Sequence, residues 1–299
     1  MTTTLPPALD AIAHHLDTPN GQITLYQSGN GPPLFLIHSV NAVASAAEMR
    51  PLFESLQANY TVYAIDLPGY GLSDRKDIQY THTIMTDTIK QTANWIAQRH
   101  TNQKVHAVAL SLSSEFLSRA CTLKPELFQS ITLISPTGLR KGQRFREPTG
   151  TTRMIPWLNH LLREKGWGAF LFKQLTRPSI IRIFLKKTWG SSLIDEQLWD
   201  YNCLTAQQAN AEYAPLCFLS GVLFSKDIHT VYENIQCPVL MIHGQKGDFK
   251  DYSGIRNTSC QGKWEVHSLP TGALPYFEIP EHYLQIQLDF LKRNSNYKP

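Results

Sequence analysis

Val105-His106-Ala107-Val108-Ala109-Leu110 is an apolar run that passes directly into Ser111-Leu112-Ser113-Ser114 and a helical pattern, so a serine stands at a corner between strand and helix. A hydroxyl in that position has two uses. It caps the helix by accepting from the first N–H groups, or it serves as a nucleophile if a base lies within reach. The residues two before and two after it, Ala109 and Ser113, are both small. Eleven histidines are present as a source of bases.

The elements that must position this serine follow a βαβα rhythm, which predicts a mostly parallel, doubly wound sheet covered on both faces. Strands are expected at Leu34–Ile37, Tyr60–Ile65, Val105–Ala109, Ser130–Ile134, Pro238–Ile242 and Glu265–Leu269. Helices are expected over 46–58, 84–99, 113–123 and 280–292. Ser45 reads as the N-cap of the first helix, with Glu48 completing a capping box.

Three strings carry a resemblance to one family. Ala109-Leu110-Ser111-Leu112-Ser113 resembles the Gly-x-Ser-x-Gly nucleophile elbow of the α/β-hydrolase superfamily, with Ala and Ser in place of both glycines. Pro33–Asn41 resembles the strand and His-Gly-x loop that supplies half of an oxyanion hole, with Ser39 for the glycine, and Asp66–Ser73 is similar to the family's Asp-x-Pro-Gly-x-Gly-x-Ser turn. The resemblance spans about 22–139 and 236–291 and implies an α/β-hydrolase fold.

It also implies roles. Ser111 is the candidate nucleophile, and the N–H groups of Leu112 and Val40 are the candidate oxyanion donors, with Asn41 either a further donor or a loop residue bonding nearby backbone. In His243-Gly244-Gln245-Lys246-Gly247-Asp248 the candidate acid is Asp248, with Asp251 in reserve. The expected histidine is absent. Thr271-Gly272-Ala273-Leu274-Pro275-Tyr276 aligns with the family's Gly-His-x-Pro loop and puts Ala273 at that position. Alanine neither takes nor delivers a proton, and losing the histidine costs about 10⁶-fold, or about 8 kcal/mol, in a well-studied protease. His38 is the candidate substitute base by topology, followed by His243, His267 and His282, each of which reads more readily as an ordinary hydrogen-bonded residue.

Composition narrows the class. With 299 residues, 42% hydrophobic and 17% charged, the chain is neither fibrous nor mainly disordered. Five widely spaced cysteines without a Cys-x-x-Cys pair predict free thiols rather than a disulfide framework or a zinc site, and no cofactor or metal is expected. Neither a secretory signal nor a 20-residue apolar run is evident, which leads to the expectation of a cytoplasmic protein.

The charge is uneven. Twelve basic and two acidic residues lie between Leu139 and Gly190, a net +10 within a chain of overall charge +4. Trp157, Trp167, Phe170, Phe172, Ile181, Phe184 and Trp189 are interleaved there, as in amphipathic helices packing one apolar stripe. Residues 139–223 are therefore expected to form a helical cap inserted in a core of 1–138 and 224–299.

The function expected from these residues is action on a hydrophobic ester or acyl small molecule through Ser111, in a modified, histidine-deficient site. The alternative is a non-catalytic ligand-binding pseudoenzyme of the same fold. Contact of the basic cap with an anionic membrane is a further expectation, set against a merely solvated face on core-packing helices. No nucleic-acid partner is expected, because no recognition motif accompanies the charge.

Overall fold

The structure is a computed structural model that describes residues 4–101, 103–164 and 166–295. In chain order the elements are β1 (Ile12–Thr18), β2 (Gly21–Ser28), β3 (Pro33–Ile37), α1 (Arg50–Leu56), β4 (Thr61–Asp66), α2 (His82–Arg99), β5 (Val105–Leu110), α3 (Ser113–Leu123) and β6 (Phe128–Ile134). Then come α4 (Pro156–Arg163), α5 (Trp167–Leu175), α6 (Pro178–Trp189), α7 (Glu196–Ala206), α8 (Tyr213–Leu219), α9 (Ile228–Glu233), β7 (Val239–Gly244), β8 (Glu265–Leu269), α10 (Pro275–Glu278) and α11 (Pro280–Asn294).

The eight strands form one sheet in the order β1-β2-β4-β3-β5-β6-β7-β8, antiparallel at β1/β2/β4 and parallel beyond. Every residue of β3, β4 and β5 is buried, as a parallel sheet covered on both faces requires. One apolar cluster packs α2, α3 and α9 on one face, through Ile89, Ile96, Phe116 and Tyr232. The other packs α1, α10 and α11, through Leu52, Phe53, Tyr276 and Phe290. The fold is that of an α/β hydrolase.

Two local expectations are corrected. The first helix begins as a 3₁₀ turn at Ala46–Met49, and although the Ser45 hydroxyl accepts from Ala47 N–H, Glu48 does not close a capping box. Its carboxylate reaches the loop after β3 instead. The hairpin of β1 and β2 is additional to the expected strands; β1 is short of buried apolar residues and is held mainly by its ladder to β2.

The cap helices also depart from expectation. Phe172, Ile181 and Trp189 are buried, whereas Trp157, Trp167, Phe170 and Phe184 are exposed, so those aromatics do not form a core-facing stripe. The cysteines are free, with the sulfurs of Cys121 and Cys237 lying 3.3 Å apart. Among the described residues no helix is long and apolar enough to cross a membrane.

Candidate active site

Ser111 sits between β5 and α3 with φ +55°, a left-handed conformation that costs a non-glycine residue about 1–2 kcal/mol. Its N–H donates to Ile134 O at 2.8 Å, and its carbonyl accepts from Ser114 N–H at 3.1 Å, so neighbours on β6 and α3 hold the turn. Ala109 is fully buried against the sheet. Ser113, also buried, donates its hydroxyl to His38 O at 2.6 Å and so ties the elbow to the loop after β3. A serine therefore suits the position where the family motif has glycine. The Ser111 hydroxyl itself has no hydrogen-bond partner among the described residues and is only half buried.

The loop after β3 is built around a buried carboxylate. Glu48 accepts from Ser39 N–H at 2.8 Å, Ser39 Oγ at 3.0 Å and Asn41 Nδ2 at 2.8 Å. Burial pushes its carboxyl above the usual range, and these donors only partly offset that. Asn41 Oδ1 accepts from Val43 N–H at 2.8 Å, so both ends of its amide are committed to the loop rather than aimed at an oxyanion. The Val40 and Leu112 N–H groups have no acceptor among the described residues, and Leu112 opens α3, where unpaired amides and the helix dipole favour negative charge.

His38 is a structural residue rather than a base for Ser111. Its Nε2 accepts from Leu67 N–H at 2.9 Å and its Nδ1 lies 2.5 Å from Ser39 O, so both ring nitrogens are engaged and the ring is neutral. Burial depresses its pKa to about 4. His243 contacts Gly244 O and stacks on Tyr252, His267 pairs with Glu265, and His282 is exposed on α11. The remaining seven histidines meet partners elsewhere or lie at the surface, and none bonds Ser111.

Asp248 is exposed on the loop after β7. Its carboxylate stands 3.9 Å from Lys187 Nζ on α6, and its N–H donates to Lys187 O at 3.2 Å. Asp251 accepts from Ser253 and from Lys141 N–H. Neither meets a histidine among the described residues, so neither forms an acid–imidazole pair for Ser111. Ala273 is buried, its N–H donating to Thr188 O at 2.9 Å and its carbonyl accepting from Ser135 Oγ at 2.9 Å.

The cap end that meets Ala273 is seated without side chains between. A Cβ on Gly272 would stand 2.3 Å from Thr188 O, and one on Gly190 would stand 2.4 Å from Gly247 N. The C-terminus of α6 is thus pressed onto both loops that, by family resemblance, carry acid and base.

Between cap and core lies a cavity of about 300 Å³, near the low end for ligand pockets, walled by Ala42, Val43, Ile181, Phe184, Pro215 and Phe218 and bordered by Lys187 and Asp248. Ser111 is not among its lining residues. Asn202 on α7 is, and although fully buried its amide oxygen has no protein partner among the described residues. Sequence reasoning missed Asn202 and the role of Glu48. No local spacing reports either, because both depend on contacts between distant segments.

A family profile described as alpha/beta hydrolase fold matches residues 32–277, and the chain belongs to that family. It is 21% identical over 270 residues to a probable 1-acylglycerol-3-phosphate O-acyltransferase of Oryza sativa subsp. japonica, covering 84% of this chain and 64% of that protein. The chain thus spans under two thirds of that relative's length, and 58% of the length of an uncharacterized hydrolase, YugF, of Bacillus subtilis, to which it is 26% identical over 176 residues, 58% of this chain. Among solved structures, a serine hydrolase involved in carbazole degradation superposes with a TM-score of 0.73 at 17% identity, over 94% of this chain and 99% of that one.

Proposed function

We propose that this chain binds a hydrophobic ester or acyl small molecule between cap and core and presents its carbonyl to Ser111 and to the Leu112 and Val40 N–H groups, in a site without a histidine to activate the serine. The observation that carries this is the left-handed turn at Ser111, where the hydroxyl and the following N–H have no partner among the described residues. Strain of this kind persists where surrounding structure enforces it, and it gathers at functional sites. The apolar cavity, which Ser111 does not line but whose wall includes Asn41, Ala42 and Val43 next to Val40, supports the hydrophobic ligand, as does the likeness to a protein named for acyl transfer.

Attack by Ser111 on an ester would form an Oγ–C bond and pass the serine proton to water, since no imidazole among the described residues bonds the hydroxyl. The ester C–O bond then breaks, the alcohol leaves with a proton from water, and a second water hydrolyses the acyl-serine. Two oxyanion donors and positioning still supply roughly 10³- to 10⁴-fold over water when triad members are removed elsewhere. Slow turnover is therefore the expected activity, and because that background survives loss of the serine elsewhere, only the part that Ser111→Ala removes is carried by Ser111. Binding without turnover is the second reading, favoured by the Thr188–Ala273 contact that occupies the family's histidine loop.

Hydrolysis of p-nitrophenyl decanoate by wild type, Ser111→Ala and Ala273→His separates the two. Slow release by wild type that Ser111→Ala abolishes supports the first reading. Binding of the ester with no Ser111-dependent release leaves the second, and absence of binding removes both. Ala273→His is expected to raise the rate by about 10²-fold, the low end for a positioned base, because Asp248 is paired with Lys187 instead of standing ready to orient an imidazole.

A further inference from the structure

Of the fifteen exposed large apolar side chains among the described residues, ten lie between Met154 and Leu193. Scattered exposed apolar residues need no explanation, but a concentration of this size on one part of a surface does. On α4, Trp157 (69% exposed) and Leu161 are four residues apart and share a face; on α5, Trp167 (65%), Phe170 (58%) and Leu171 do the same. The two helices pack against each other, and Leu162, Gly168 and Phe172 turn inward. Each helix therefore spends one stripe on the protein and leaves a second apolar stripe open.

The cations beside these stripes are also free. Arg163, Lys173 and Arg177 are exposed and have no acidic partner among the described residues, in contrast to Arg182, which pairs with Glu196.

We propose that this face of the cap docks on an anionic lipid bilayer, with Trp157, Trp167 and Phe170 entering the boundary between headgroups and acyl chains and Arg163, Lys173 and Arg177 lying over the headgroups. Charge complementarity selects this occupant. A second copy meeting the first through the same patch would bring two +10 segments together, which is repulsive. Nucleic acid would satisfy the cations but offers little to Leu161 and Leu171. Interfacial aromatics together with basic side chains match the surface of an anionic membrane. Phe184 is both exposed and a wall of the cavity, so a docked cap would bring the cavity close to a source of apolar ligand. The proposal does not depend on turnover at Ser111.

The test is co-sedimentation of the full chain with vesicles of phosphatidylcholine, with and without phosphatidylglycerol. Binding is expected to the mixed vesicles, to weaken as salt is raised, and to be accompanied by a blue shift of tryptophan emission. Arg163→Gln/Lys173→Gln/Arg177→Gln should lower the partition coefficient about a hundredfold, at about fivefold for each cation near an anionic surface. Trp157→Ser/Trp167→Ser should remove the blue shift, with circular dichroism confirming that these surface variants keep their fold. Absence of binding to mixed vesicles at low salt overturns the proposal, as does binding indifferent to salt and to the triple variant. Concentration-dependent self-association that the tryptophan variant abolishes would assign the face to a second copy and overturn it as well.

Discussion

The strand-to-helix corner at Ser111 was legible because its signal is local: an apolar run, a small residue two positions to each side and an immediate helix start lie within ten positions. What those positions do not contain is the cost of the turn. With φ at +55°, the residue occupies a conformation that glycine adopts freely and alanine does not. Ser111→Gly is therefore expected to unfold at higher urea than Ser111→Ala, the two differing by roughly 1 kcal/mol. Equal stabilities would mean that the turn relaxes when the hydroxyl is removed and stores no strain. Glu48 shows the opposite kind of legibility. Its spacing from Ser45 matches a capping box, yet its real partners, Ser39 and Asn41, hold the loop that presents Val40, and no pairwise spacing rule distinguishes the two outcomes.

At the scale of elements, α3 does more than carry the serine, because its second turn anchors the chain returning from the cap. Arg119 bonds both oxygens of Asp227, at 2.6 and 3.0 Å, and Asp227 also accepts from Gly150 N–H at 3.0 Å. One turn earlier, buried Glu115 accepts from Ser225 N–H at 2.9 Å and from the Thr137 hydroxyl. Burial raises the Glu115 pKa to about 7, and the Thr137 and Ser225 hydrogen bonds and the Arg119 charge offset only part of that rise. A carboxyl whose folded pKa exceeds its unfolded value contributes stability below about pH 4.5 and loses it as pH rises through about 7. Between those limits the folded state gives up on the order of 3 kcal/mol. Glu115→Gln keeps one acceptor and one donor for the same partners without a charge to desolvate. It should therefore be no more stable than wild type near pH 4.5 and clearly more stable near pH 8 in urea titrations. Parallel pH profiles for the two proteins would show that Glu115 does not ionise in this environment.

For the whole molecule, the alternation of strands and helices was readable because a covered parallel sheet demands continuous apolar strands, and the boundaries of α3 and β8 fall where periodicity put them. The seating of the cap was not readable. Periodicity reports that a helix has an apolar stripe, not which surface covers it, and so the exposed aromatics of α4 and α5 were expected to be inside. Nor does sequence reveal that the cap meets the core backbone to backbone, through Gly272, Gly190 and Gly247. A methyl group on Gly272 would lie within 2.4 Å of the carbonyls of Thr188 and Trp189, neither of which is a flexible side-chain end able to move aside. Gly272→Ala should therefore lift the end of α6 from the core, at a cost of about 1–3 kcal/mol. Amide hydrogen exchange should then accelerate across α6 and the loop after β7, while α2, which packs on the far face with α3, keeps its protection. A uniform loss of protection, or none, would show that the cap is not held at this glycine contact.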